Sequence, residues 1–304
     1  MPNDLPVTAA VAAPGADACG RLLRAGAEPL LAAHSSDRLR QNRRSLLIGL
    51  LLVITLVTVP LWSTGSFSLG RYGVAITYVM AAVGLNLAIG FAGELVLGHA
   101  AIMAISAYVS GVLSAQFGWS FGTAFPAGII AGVVFGLAML LPGLRVRGWY
   151  MSLLTLFAVL VLPRASSLLE QWTGGDYGLT GIRPADIFGF QLTEIGVFEF
   201  SVACFAVVWF ATTNFVRSGW GQRLQALRDI PRAAQASGID LVYTRLVVYV
   251  VASVPAAIAG ALLAYIEQFV NAESFGMGLT LLLLTGVMLG GSGTLWARSS
   301  AWRR

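Results

Sequence analysis

An all-α, polytopic bundle of membrane-spanning helices is predicted for this chain of 304 residues, and three observations predict it. The residues are 57% hydrophobic and only 11% charged, against about 25% charged in an ordinary soluble domain. Apolar runs near the ~20 residues that cross a bilayer recur along the whole length. The arginines fall almost entirely on alternate connections between those runs, as the positive-inside rule requires.

The elements follow in order. Residues 1–45, rich in Ala, Pro and Gly with scattered charge, hold no apolar stretch of the secretory-signal kind and predict a flexible cytoplasmic tail. Residues 46–292 predict one transmembrane domain of about eight helices: 46–62, 72–91, 99–117, 124–142, 149–164, 195–216, 244–266 and 277–290. Pro60, Pro126, Pro142 and Pro255 fall within or at the ends of these runs, which membrane helices tolerate. With the N-terminus cytoplasmic, the inside receives Arg21, Arg24, Arg38, Arg40, Arg43, Arg44, Arg145, Arg147, Arg217, Arg223, Arg228, Arg232, Arg245, Arg298, Arg303 and Arg304. The outside receives Arg71, Arg164 and Arg183. A miscounted helix would scramble this asymmetry, so it supports the count and the orientation together.

The net charge of +5 and pI near 9.6 suit either nucleic acid or an anionic membrane. The placement of the charges selects the membrane and leaves no nucleic-acid partner. All 19 basic residues are Arg, which excludes a P-loop lysine and a Schiff-base lysine. Cys19 and Cys204 are too few and too far apart for a disulfide framework, and Cys204 lies in an apolar run as a small hydrophobe. His34 and His99, separated by membrane, do not co-ligate a metal, and no catalytic cluster is visible.

Two polar segments carry the functional expectation. The inner loop, 217–243, includes Gly221, Arg223, Leu224, Leu227, Arg228, Asp229, Ala233, Ala234 and Gly238. Leu224 and Leu227 share one helical face; Asp229 suits the cap and Pro231 the first turn of a second short helix, which Gly238 would end. The result is a cytosolic knob able to seat its apolar face in a partner's groove, or an amphipathic loop lying on anionic lipid. The stretch Gly84–Ala101 places Asn86, Gly90, Gly93, Glu94, Gly98 and His99 in or beside membrane helices. Such polar groups are costly there unless paired, so they are candidates for a translocation path or for helix packing, with a short cytoplasmic turn around Glu94 and His99 as the plainer alternative. On the outside, Thr173–Gly181 is a glycine-rich run suited to a tight loop, either for a docking partner or as a plain connection.

In order along the chain, Gly84–Ala101, Leu144–Gly148, Thr173–Ile182, Gly221–Ile239, Ala259-Gly260-Ala261, Glu273-Ser274-Phe275 and Gly290–Thr294 resemble the inner-membrane permeases of the branched-chain (hydrophobic) amino acid ABC uptake family, specifically its M-type member. The resemblance implies a multi-pass bacterial inner-membrane transport subunit that is not an enzyme, works by alternating access and binds no cofactor itself. It implies as partners a homologous H-type permease, two cytosolic ATPases carrying the ATP and Mg, and a periplasmic or lipid-anchored amino-acid-binding protein. It makes Gly221–Ile239 the ATPase-coupling loop, with Leu224 and Leu227 expected to enter an ATPase groove. A urea or short-amide permease of the same family and an ion-coupled secondary transporter using Glu94 and His99 are the alternatives.

The chain departs from the family pattern at three places. Ile230-Pro231-Arg232 replaces a glutamate and an aliphatic residue, which shifts the start or tilt of the coupling helix. Glu94 stands where Gln is common. After Gly293-Thr294-Leu295-Trp296 the family continues with Gly-Pro-x-x-Gly and a further helix, whereas this chain ends Ala297-Arg298-Ser299-Ser300-Ala301-Trp302-Arg303-Arg304. One restored G before codon 297 lets the shifted frame encode Gly-Pro-Val-Leu-Gly-Val-Ala-Ala. Residues 293–304 are therefore expected to be a frameshifted, truncated terminus, with a genuine short C-terminus as the alternative.

Overall fold

The computed structural model describes residues 66–143, 149–187, 190–229 and 231–290. The predicted tail, the first predicted span and the atypical terminus lie outside the described residues. Nine helices are labelled here: α1 Ser66–Asn86, α2 His99–Ala115, α3 Phe121–Gly143, α4 Trp149–Leu168, α5 Glu194–Arg217, α6 Gly219–Asp229, α7 Pro231–Ala236, α8 Leu241–Glu267 and α9 Met277–Leu289. Single helical turns occur at Glu170–Thr173, Gly175–Tyr177 and Ala272–Phe275, and a two-residue antiparallel pair joins β1 Asp186–Ile187 to β2 Phe190–Gln191.

The protein is an all-α multi-pass membrane protein. Six of the described helices are long and apolar enough to cross a bilayer: Leu69–Phe91, Phe121–Pro142, Tyr150–Leu168, Glu194–Arg217, Leu241–Glu267 and Ala272–Leu289. The seventh expected span among the described residues, α2, has only 17 residues, about 25 Å of helix against a ~30 Å hydrocarbon core. It tolerates that length because it lies almost wholly inside the bundle: Ala100, Ala101, Met103, Ala104, Ser106, Ala107 and Ser110 are each fully buried.

Small residues build the centre. α8 packs against α1, α2 and α3, and α2 against α3. Gly128, Gly132 and Gly136 repeat at every fourth position along one side of α3. A Cβ on them would stand 2.7 Å from Ser106 O, 2.9 Å from Ala257 Cβ and 2.9 Å from Ser253 Cβ. A Cβ on Gly260 would overlap the backbone of Met103 where α8 crosses α2. Helices in lipid gain little from burying apolar surface, so close backbone approach at small residues holds them together. One polar bond reinforces the crossing, with the Ser106 hydroxyl donating to Ala257 O at 2.6 Å. α5 and α9 pack on α1, and α4 turns Leu153, Phe157, Leu160 and Val161 outward.

The connections gather into two polar ends. At one, Gln116 donates to Gln171 O and Trp172 O, Phe121 N donates to Asp186 Oδ1, Arg183 donates to Gly118 O, and Leu179 pairs with Val270 through two backbone bonds. This end carries Arg71, Arg183, Glu170, Asp176, Asp186, Glu194 and Glu273. The other end joins the 92–98 connection to α4, α6 and α8, and it carries Arg217, Arg223, Arg228 and Arg245. The positive-inside rule predicts that this second, arginine-rich end faces the cytoplasm.

Candidate functional site

The two segments singled out in the sequence meet at the arginine-rich end. α1 runs on from Asn86 into a π-helical turn, Leu87–Phe91, and stops at Ala92 and Gly93. Gly93 has φ +71, a left-handed backbone that glycine enters without Cβ strain. The chain then crosses to α2, whose first residue is His99. Leu97 N donates to the Thr155 hydroxyl at 3.0 Å, and the Ser152 hydroxyl donates to Leu95 O at 2.8 Å, so α4 grips this connection.

Glu94 lies in that connection. Its Oε1 is 2.6 Å from Arg245 Nε, with the two side chains 18% and 23% exposed. Burial raises the Glu94 carboxyl above its ordinary value, and the Arg245 guanidinium opposes that shift. His99 is only 3% exposed, and neither of its ring nitrogens has a hydrogen-bond partner among the described residues. A Cβ on Gly84 would stand 2.5 Å from Ala252 O, so this is a tight junction of α1, α2 and α8. Asn86 is half-buried, while Gly90 and Gly98 are buried.

α6 docks on the same place. Its register puts Gly221, Leu224 and Leu227 on one stripe, and all three are buried. Leu224, 0% exposed, belongs to one apolar cluster with Leu87, Phe91, Val96, Met151 and Val248. Arg228 reaches past this cluster and donates from Nη1 to Gly90 O, while its side-chain stem fills the space beside Gly93. Leu224 and Leu227 were expected to enter a partner's groove; Leu224 instead packs on the chain's own bundle, and Leu227 is only 3% exposed. The outward face carries Gln222, Arg223, Gln225 and Asp229 instead. Arg223 lies over Trp220, whose ring also meets Phe215 and Tyr243.

The second short helix forms, but Asp229, expected to cap it, is the last residue of α6 instead. α7 begins at Pro231, and Gly238, with φ +82, closes it: Gly238 N donates to Gln235 O and Ile239 N to Ala234 O. These two bonds define a Schellman end. Ala234 is 4% exposed; Ala233 lies in α7, but its side chain lies outside the described set. Asp240 then caps α8, accepting from Val242 N and Tyr243 N at 2.9 and 3.1 Å. That cap starts the helix three residues before the apolar run on which the predicted span rests.

Arg245, the partner of Glu94, is the residue that sequence reasoning missed, and Arg228, named there as part of the inner loop, was not expected to reach Gly90. A signal existed for the first, because an arginine one residue inside an apolar span asks for a counter-charge. The glycine repeat of α3 was likewise readable as a close-packing face. At the opposite end, the Gly174–Gly181 run folds into a turn locked by Leu179–Val270 pairing, with the Thr173 hydroxyl donating to Ser166 O at 2.7 Å.

Comparison with known proteins fits this arrangement. The chain is similar to the high-affinity branched-chain amino acid transport system permease protein LivM of Salmonella typhimurium, with 28% identity over 280 residues, covering 84% of this chain and 65% of the relative. The LivM protein of Escherichia coli is 27% identical over 277 residues, covering 82% and 64% respectively. The chain thus spans 65% or less of the length of these relatives. No solved structure gives a significant match. The model of the family described as branched-chain amino acid transport system / permease component matches residues 67–298. That range takes in the connection at Glu94, the α6–α7 knob and every long helix described above, and the chain belongs to that family.

Proposed function

We propose that this chain is a membrane-spanning permease subunit of an ATP-driven importer of branched-chain amino acids in a bacterial inner membrane. ATP is hydrolysed on separate cytosolic chains, a homologous permease completes the pathway, and a binding protein outside delivers the solute. The observation that carries the reading is the α6–α7 knob. It stands on the arginine-rich end, is docked by a buried apolar stripe and presents a polar face, Gln222, Arg223, Gln225 and Asp229, to a cytosolic partner. Glu94, paired with Arg245, and His99, buried where α2 begins, serve the turn and the helix junction around them.

Uptake of labelled leucine into cells carrying the complete gene set tests the reading. Uptake is expected to require ATP, to survive a proton uncoupler while ATP is maintained, and to resist competition by excess urea. Collapse under the uncoupler would favour ion coupling through Glu94, and competition by urea would move the substrate to short amides.

A further inference from the structure

We propose that Arg228 is the positioning residue through which a displacement of α6 is delivered to the end of α1, with the connection Gly90–Gly98 as the receiving node. The inference rests on the proposed role of the α6–α7 knob and adds the path by which its movement enters the membrane.

Four observations carry it. Arg228 Nη1 donates to Gly90 O inside the π turn; carbonyls in the last turn of a helix lack in-helix donors and form its negative pole, which suits a guanidinium. The Arg228 stem abuts Gly93, where a Cβ would stand 2.8 Å from Cγ, so the contact resists compression as well as extension. Leu224 shares its apolar cluster with Leu87, Phe91 and Val96, which joins α6 to both sides of the node. The node is also tied to α8 by Glu94–Arg245 and to α4 by Ser152 and Thr155. A push on α6 therefore meets three spans at one connection, although the chain itself links α6 directly only to α5 and α7. The node begins within the π turn, at Gly90 and Phe91, and such turns are uncommon and frequent at functional sites.

The complete transporter in proteoliposomes tests this by the ratio of solute moved to ATP hydrolysed. Uptake by the unsubstituted complex is read first, and uptake without ATP would sink the functional reading rather than this one. For Arg228→Ala the ratio is expected to fall about tenfold, the factor carried by one lost charge-assisted hydrogen bond. Arg228→Lys, which keeps the cation and most of the stem, is expected to lie between the two. A ratio for Arg228→Ala within about twofold of the unsubstituted complex would overturn the proposal, because a residue that only holds α6 in place lowers hydrolysis and uptake together. Should Arg228→Ala fail to assemble, Arg228→Lys is read alone: a lowered ratio supports the path, and an unchanged one overturns it.

Discussion

Glu94 is a carboxyl whose burial and ion pair pull in opposite directions, and burial prevails. For a carboxyl raised on folding, protonation favours the fold. Its contribution is full below the unfolded value of about 4.3 and is lost as pH rises through the higher folded value. Glu94→Gln is neutral throughout and lacks that slope. Melting curves of the purified protein in detergent are expected to show the wild type losing stability relative to Glu94→Gln as pH rises from about 4 to 7. Parallel curves would mean the carboxyl is not displaced. Leu227 gives a second test at this scale. Leu227→Asp would place an unpaired carboxylate against the bundle, a cost of several kcal/mol, so α6 is expected to undock, exposing 217–243 to added protease while the chain stays in the membrane. Gln222→Asp, on the outward face, is expected to change stability by no more than about 0.5 kcal/mol, and equal protease sensitivity of the two variants would refute the inward orientation of Leu227. The sequence showed that Leu224 and Leu227 share a face, since that needs only the 3.6-residue period. It could not show what the face meets, because a groove on a partner and a groove on the same bundle demand the same side chains.

Among the elements, α3 and α8 are held by the absence of side chains at chosen positions. Gly260→Ala adds a methyl group where the Met103 backbone already lies, and overpacking of this kind costs about 1–3 kcal/mol or more. The variant is expected to melt earlier in detergent and to accumulate less in membranes. Gly286→Ala, in α9 with nothing within 4 Å of the added atom, is expected to be neutral or to gain up to about 1 kcal/mol from helix propensity. Similar losses for both would show that the α2–α8 crossing does not need its close approach. The long helices were legible because each is a run of apolar residues about as long as a bilayer is thick, and α7 was legible from Pro231 and Gly238. The true start of α8 was not, because hydropathy sees the apolar run and not the Asp240 cap that precedes it. The shortness of α2 was hidden for the same reason: composition alone does not separate a helix enclosed by protein from one facing lipid.

Among the described residues the two ends differ in charge, and that difference predicts the orientation. With Cys19 and Cys204 both replaced by Ser, a cysteine at Ser237 is expected to react with an impermeant thiol reagent only from the cytosolic side, and one at Tyr177, which is 87% exposed, only from the outer side. The reverse pattern would invert the topology. The separation into two ends was readable from arginine positions, whereas the joining of Glu94 to Arg245 and of Gly90 to Arg228 required the fold, since these partners are distant in sequence. The inward commitment of Leu224 and Leu227 also reaches the surface they leave behind. A cytosolic partner seated on Gln222, Arg223, Gln225 and Asp229 would be held mostly by exposed polar and charged contacts, whose attraction fades once the Debye length shrinks to about 3 Å in molar salt. Such a partner would come off washed membranes in concentrated salt without detergent, and exchange of partners between related systems would follow the charge pattern of this face more than its shape.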